Sequence, residues 1–171
     1  KHNGNIFDSI PYHTSKYNKL HNLHLEYSPH LESQIAAISD DIAYNNHDVE
    51  DALRAGLINL NSLKDIKYFD QIIKEINSIF RNIDEALITY QMLRISISKM
   101  VNDIINNSKK NIIDNRILEI KDVFNNNFFL ITMSKKMKED SVLIKDFLYD
   151  NVYNHSKLKK KRQEVENIIM K

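Results

Sequence analysis

The feature that most constrains the fold of this chain is the position of its helix-breaking residues. Only two Gly and two Pro occur among 171 residues, and none of them lies after Gly56. Because Gly and Pro disfavour the interior of an α-helix more than other residues do, nothing of this kind interrupts a helix in the rest of the chain. The sequence therefore predicts an all-α protein. Apolar residues recur at helical spacing in the segments 65–80, 84–107, 115–124 and 134–153, and SKKNIIDN is expected to be a loop between two of them.

The stretch LESQIAAISDDIAYNNHDVEDALRAGL, residues 31–57, holds the residues most indicative of a function. An apolar stripe at helical spacing predicts that one face packs in a core, and it consists of Leu31, Ile35, Ile38 and Ile42. At 100° per residue, Asp40, Tyr44 and Asp48 lie roughly opposite this stripe if the helix continues that far. Small residues surround them where a solvated face would carry long charged side chains, at Ser33, Ala36, Ala37 and Ala43. We therefore expect this helix to be covered on both sides and Asp40 to be partly buried.

The same region lacks positive charge. Between Leu20 and Leu53 there is no Lys or Arg, although the chain as a whole carries a formal net charge of only +1. The acidic residues there are Glu26, Glu32, Asp40, Asp41, Asp48, Glu50 and Asp51. A hard divalent cation held by carboxylate and imidazole groups would compensate this local charge. The alternative, which charge runs usually follow, is that these acids are mostly solvated and that Asp41 faces water.

Two alternatives concern the end of this stretch. Asp48 can cap a separate short helix over 49–55 that Gly56 closes at its C-terminal end. Arg54 can pair with Glu50 or Asp51, or it can reach a neighbouring subunit, and we favour the pairing.

The residues from His30 to Leu57, HLESQIAAISDDIAYNNHDVEDALRAGL, closely resemble the signature of the deoxyguanosinetriphosphate triphosphohydrolase-like proteins of the HD superfamily. The resemblance extends to KHNG at residues 1–4 and to the pair Tyr17-Asn18. Towards the other end it extends to MVND at 100–103, SKKM at 134–137 and FLYDNVYNH at 147–155. It covers essentially the whole chain, but it is specific in DDIAYNNHD and loose after about residue 60.

The resemblance implies a particular metal and sugar site. HD-superfamily enzymes hold a divalent metal, here expected to be Mg²⁺ or Mn²⁺, with a His, an adjacent His-Asp pair and a later Asp. Asp40 corresponds to that later Asp. Tyr44 and Asp48 resemble the residues that contact the deoxyribose 3′-hydroxyl. The helical spacing of i, i+4 and i+8 selects the same three residues.

One departure from the family pattern changes the interpretation. The only His-Asp pair in this chain is His47-Asp48, which belongs to the later motif. The resemblance implies that the other metal ligands and the catalytic acid or base lie upstream of Lys1. We therefore expect residues 1–171 to be the C-terminal part of an HD-type domain, from a split reading frame, a degraded gene or a truncated chain. Residues 1–60 would contain the last metal-binding Asp, and residues 61–171 would be accessory helices of this helical HD-domain-like bundle.

The reaction implied by the resemblance converts a deoxynucleoside triphosphate and water to a deoxynucleoside and inorganic triphosphate. This chain alone is expected to be inactive, with the missing N-terminal half or further copies of itself in a homo-oligomer as partners. The alternative is a non-catalytic helical remnant that serves oligomerisation or nucleic-acid contact.

The remaining residues suggest little further chemistry. There is no Cys, and neither an apolar run long enough for a membrane span nor a signal peptide is visible, so a cytoplasmic protein without membrane contact is expected. His21 and His24 match no zinc-binding pattern, and we favour a structural role for them. The basic run in KLKKKRQEVENIIMK can contact nucleic acid through phosphates. We favour instead a solvated last helix that packs through Val165, Ile168 and Ile169.

Overall fold

The computed structural model of this chain describes residues 10–80 and 83–170, most of which are α-helical. In chain order the helices are α1 (Tyr12–Leu20), α2 (Leu31–Arg54), α3 (Leu60–Leu63), α4 (Lys67–Ile79), α5 (Glu85–Asp114), α6 (Ile120–Phe124), α7 (Lys135–Leu148) and α8 (Ser156–Ile169). A π-helical segment, Tyr149–Tyr153, follows α7 directly. Since these residues contain no β-strand, the predicted all-α class is confirmed.

Helix α5 is longer than the sequence suggested. It continues to Asp114, so the prediction of a loop at SKKNIIDN was wrong over most of that stretch. Side-chain amides on this part of the helix are bonded to a distant segment: Asn107 Nδ2 donates to the carbonyl of Thr132 at 3.0 Å, and Asn111 Nδ2 donates to the carbonyl of Leu130 at 2.9 Å. Asparagine weakly favours turns, but here tertiary hydrogen bonds decide the conformation.

Helix α2 runs without interruption past Asp48, so the alternative of a separate helix capped by Asp48 was wrong. Its end is fixed by Gly56, whose φ of +62° is a conformation that residues with a Cβ rarely adopt. The N–H of Leu57 bonds to the carbonyl of Ala52 at 2.9 Å, and the N–H of Gly56 bonds to the carbonyl of Leu53 at 3.1 Å. These two bonds make a Schellman motif, and the predicted closure at Gly56 is confirmed.

The buried side of α2 differs from the predicted stripe. Ile35 is 50% exposed, and only Ile42 of the predicted stripe is fully buried. Over its second half, α2 instead buries Ile42, Asn45, Asn46, Val49 and Ala52. Two asparagines in this set explain why a pattern of apolar residues did not identify the face. Asn46 Nδ2 donates to the carbonyl of Ile42 at 2.8 Å, so its amide is satisfied in part within the helix itself.

The described residues form two compact units, each of which contains part of α2 and part of α5. The first unit comprises the residues through Asp41 together with Asp103–Met133, and the second comprises Ile42–Asn102 and the residues from Ser134 onward. The predicted division of the chain at residue 60 stays a prediction.

Gln34 organises the first unit. It is 4% exposed, and its Oε1 accepts hydrogen bonds from the N–H groups of Leu130 at 2.9 Å and Ile131 at 3.1 Å. Its Nε2 donates to the carbonyl of Pro29 at 2.8 Å. One side chain thus satisfies three backbone groups in a buried place where water cannot replace it, which ties α2 to the segment before α7.

Gln34→Leu is therefore expected to destabilise the first unit by about 2–4 kcal/mol, because it leaves two buried N–H groups and one carbonyl without partners. Urea unfolding and amide hydrogen exchange at Leu130 and Ile131 measure the effect. Gln71→Leu, on the exposed side of α4, is the matched control and should change stability by no more than about 0.5 kcal/mol. Unchanged exchange at both amides in Gln34→Leu would contradict this role.

The second unit has an apolar core. Its most deeply buried side chains are Val49, Leu63, Phe69, Ile72, Ile76, Met92, Met100, Ile144 and Leu148. A buried hydrogen bond from the Tyr68 hydroxyl to the carbonyl of Ser96, at 3.0 Å, joins α4 to α5. On the surface, Lys99 Nζ lies 2.7 Å from Glu75 Oε2 across the same two helices.

The predicted final helix is present as α8, but its predicted packing was wrong. Val165, Ile168 and Ile169 are all exposed, the last of them by 76%. The alternation of charged and apolar residues made the helix predictable, whereas burial needs a neighbouring surface that no local pattern specifies. Within the described ranges, no helix combines the length and the apolar character needed to cross a membrane.

Candidate functional site on helix α2

The three predicted site residues lie on successive turns of one helix. Asp40, Tyr44 and Asp48 all belong to α2, with Asp40 in the first unit and the other two in the second. Tyr44 is 64% exposed. Asp40 is also exposed, so the prediction that it is partly buried was wrong. The prediction assumed that both sides of the helix are covered, but α2 has one buried side, and Asp40 lies away from it.

Asp48 is the member of this group with a defined partner. It is half-buried, and its Oδ2 accepts a hydrogen bond from the hydroxyl of Tyr153 at the end of the π-helical segment. The pKa of Tyr153 is raised to about 12, first by burial, then by the hydrogen bond to Asp48 and its negative charge, and least by the nearby Tyr44 phenol. Tyr153 therefore remains a neutral hydrogen-bond donor throughout the physiological pH range.

The backbone around Tyr153 is held by its own set of bonds. The N–H of Asn154 donates to the carbonyl of Tyr149 at 3.1 Å, which is the i to i−5 bond of a π-helix. Arg162 Nη2, on α8, donates to the carbonyl of Tyr153 at 2.7 Å. These two hydrogen bonds thus fix the backbone of the segment that carries the Tyr153 hydroxyl.

Arg54 and Glu50 form an ion pair at the end of α2. Arg54 Nη2 lies 2.6 Å from Glu50 Oε1, and His47 Nδ1 lies 3.7 Å from Glu50 Oε2. The favoured pairing of Arg54 is confirmed for Glu50. Because the pair is solvent-accessible, it contributes little to stability. Arg54 carries the first positive charge after the acidic stretch.

Within residues 10–80 and 83–170, no group of three or more His, Asp or Glu side chains is arranged to hold a metal ion. Asp40 offers one exposed carboxylate, which suits a single ligand position for a hard cation. His24, by contrast, has Nδ1 3.4 Å from Glu26 Oε1. The described residues therefore do not form a site with three or more such ligands by themselves.

Sequence reasoning did not identify Tyr153 as a partner of Asp48. The sequence separation between Tyr153 and Asp48 is 105 residues, so no local spacing connects them. A usable signal existed in FLYDNVYNH, where the family resemblance was noted without a chemical role. A half-buried carboxylate also requires a donor, although that requirement does not say which residue provides it.

Comparison with known proteins finds one family that matches the C-terminal residues and a set of relatives that match most of the chain. The family described as "Phosphohydrolase-associated domain" matches residues 131–171, which include Tyr153. Deoxyguanosinetriphosphate triphosphohydrolase-like proteins from Rickettsia felis and Rickettsia rickettsii are 36% and 35% identical to this chain over 158 residues, and the one from Rickettsia prowazekii is 31% identical. Each alignment covers 92% of this chain and 41% of the relative. The chain thus spans about two fifths of the length of the curated relatives it matches, and the resemblance found in the sequence is confirmed.

Proposed function

Because this chain is homologous over 92% of its length to deoxyguanosinetriphosphate triphosphohydrolase-like proteins, we propose that it is part of a metal-dependent phosphohydrolase. The reaction is the hydrolysis of a deoxynucleoside triphosphate to a deoxynucleoside and inorganic triphosphate. The observation that carries this proposal is the similarity to these relatives, together with the presence of the Asp40, Tyr44 and Asp48 motif on one continuous helix.

Asp40 is the metal ligand in this proposal. Its exposed carboxylate is accessible to a divalent ion, Mg²⁺ or Mn²⁺, whose remaining ligands come from residues outside the described part of the chain. When bound, such an ion polarises a phosphate oxygen and lowers the pKa of a water molecule. The contribution of Asp40 is to hold and orient one side of that ion.

Tyr44 and Asp48 recognise the sugar. Asp48 presents a half-buried carboxylate, which is a suitable acceptor for the 3′-hydroxyl of deoxyribose. The ring of Tyr44 is mostly exposed and lies one turn before Asp48, so it can close over the sugar and exclude a 2′-hydroxyl. These assignments are supported by the family motif and by the accessibility of both side chains.

The complete enzyme requires surfaces beyond those of this chain. Ile35 and Tyr44 are exposed on α2, and Ala36 lies exposed on the same helix. Ile35 lies on the side of the helix opposite Tyr44, and exposed apolar or small residues of this kind suit cover by another polypeptide segment. We propose the remaining part of the enzyme or a further copy in a homo-oligomer as that cover, in a cytoplasmic protein whose partner is the nucleotide rather than a nucleic acid.

The proposal is tested by measuring triphosphate release from each deoxynucleoside triphosphate, with Mg²⁺ or Mn²⁺ present. The intact protein that contains this chain is expected to release triphosphate in a single step, and chelation by EDTA should abolish the release. The 171 residues alone are expected to release none. Failure of the intact protein to hydrolyse any of these nucleotides would favour the alternative of a non-catalytic helical module.

Rapid turnover by the 171 residues alone would show that the chain holds a complete site, and it would contradict the assignment of Asp40 as one ligand of a larger set. Asp40→Ala in the intact protein is the negative control for these activity measurements, because it is expected to lose almost all activity.

A further inference from the structure

We propose that Tyr153 is a positioning residue for sugar recognition: its hydroxyl fixes the carboxylate of Asp48 in the orientation that accepts the 3′-hydroxyl of the substrate. The inference rests on the proposed function, because it concerns how Asp48 performs its role. It goes beyond the family motif on α2, since Tyr153 lies in the segment that matches the phosphohydrolase-associated family.

The hydrogen bond itself has a clear chemical consequence. A carboxylate has two oxygens and about four acceptor positions, so a bond to Oδ2 leaves the other oxygen able to accept a substrate hydroxyl. An exposed aspartate rotates among several side-chain conformations, and each lost rotation costs free energy when a ligand binds. The Tyr153 hydroxyl removes that freedom before the substrate arrives.

The π-helical segment explains why the hydroxyl reaches Asp48. Tyr149–Tyr153 widens the last turn after α7, and Tyr153 is its final residue. π-helical turns are rare and occur frequently at functional sites. The carbonyl of Tyr153 is satisfied by Arg162 and the neighbouring Val152 is 5% exposed, so both the backbone and the adjacent side chain are anchored.

A second bond holds α7 against α2 close to the same place. Asn45 Nδ2 donates to Ser141 Oγ at 3.0 Å, and both side chains are buried. Asn45 precedes Asp48 by less than one helical turn. The two side-chain bonds therefore join α2 to α7 and to the π-helical segment that continues α7. Tyr153 is thus held in a fixed position relative to Asp48.

A spectroscopic experiment tests the hydrogen bond directly in this chain. Carbon-13 labelling of the eight tyrosines allows each ring to be titrated by NMR, with circular dichroism to confirm that the fold persists. One ring should remain protonated at pH 11, where ordinary tyrosines with a pKa near 10 are largely ionised. Tyr153→Phe should remove that signal, and Asp48→Asn should lower its pKa by about one unit.

Tyr149→Phe is the matched control, because Tyr149 belongs to the same π-helical segment but is 61% exposed. Its removal should leave the late-titrating signal in place. A Tyr153 ring that titrates near pH 10, or one that does not respond to Asp48→Asn, would overturn the inference.

The functional role is tested in the intact enzyme by comparing a deoxynucleoside triphosphate with its 2′,3′-dideoxy analogue. Tyr153→Phe is expected to lower kcat/KM for the deoxynucleotide about tenfold and to leave kcat/KM for the analogue nearly unchanged. In the Asp48→Ala background, Tyr153→Phe should have little further effect, because the two residues act as a unit. Tyr149→Phe should retain the selectivity of the native enzyme.

The outcomes separate the two proposals. If the native enzyme hydrolyses the deoxynucleotide but Tyr153→Phe keeps full preference for the 3′-hydroxyl, the positioning role is wrong and the proposed function stands. If the native enzyme hydrolyses no deoxynucleotide, the proposed function fails and the positioning role fails with it, whatever the NMR titration shows of the hydrogen bond.

Discussion

Asp40→Ala is expected to lower metal-dependent triphosphate release by the intact protein by about 10³-fold or more. Removal of a residue that only orients a metal ligand commonly lowers metal affinity or activity by about 10–100-fold. The loss should be larger at Asp40, because Asp40 is proposed to bind the metal itself. Because Asp40 is exposed on α2, the variant should keep its fold, with a change in stability of no more than about 0.5 kcal/mol. Initial rates, circular dichroism and thermal unfolding measure these quantities.

Binding of Mn²⁺, followed by isothermal titration calorimetry, provides a readout that does not depend on turnover. Asp40→Ala should weaken Mn²⁺ binding in parallel with activity. Glu32→Ala is the matched control, because Glu32 is another exposed acidic residue on α2. It should retain the activity and the Mn²⁺ affinity of the native protein. Full activity in Asp40→Ala would rule out this residue as a ligand.

The second large effect is expected at Asp48. Asp48→Ala should lower kcat/KM for deoxynucleoside triphosphates about 100-fold, because a hydrogen bond to a charged acceptor contributes about 1.5–3 kcal/mol. The 2′,3′-dideoxy analogue has no 3′-hydroxyl to lose, so its kcat/KM should change much less. Steady-state kinetics with the two nucleotides measure both values in the same preparation.

Asp51→Ala controls for the loss of an acidic side chain from the same helix, since Asp51 is exposed one turn after Asp48 and has no assigned role in the site. It should behave as the native enzyme does with both nucleotides. Equal losses for the deoxynucleotide and its dideoxy analogue in Asp48→Ala would instead indicate a general structural defect, and the assignment of Asp48 to the 3′-hydroxyl would be abandoned.

The parts of the fold that depend on local chemistry were predictable. The scarcity of Gly and Pro gave the helical class, and Gly56 gave the end of α2, because a positive φ is accessible to Gly at low cost. The position of Asp40, Tyr44 and Asp48 on one helix also followed from spacing. Each of these properties is set by residues that are close to one another in the chain.

The parts that depend on distant neighbours were not predictable in the same way. Which side of α2 is buried depends on the surfaces that meet it, and this is why Ile35 and Asp40 were expected to be less exposed than they are. Asn45 and Asn46 are buried despite their polarity, and the side-chain Nδ2 of each donates a hydrogen bond. The bond between Tyr153 and Asp48 joins residues from opposite parts of the sequence, and no periodicity encodes such a pair.

The π-helical segment also limits how this region can change during evolution. A π-helical turn contains about one residue more than an α-helical turn, and each residue of an α-helix rotates the chain by about 100°. If all residues of Tyr149–Tyr153 rewound into a regular α-helix, every later side chain would therefore turn to a new direction. Tyr153 would lose Asp48 although neither residue had been replaced. The π-helical conformation of this short segment is consequently expected to be under stronger selection than the identity of most of its residues.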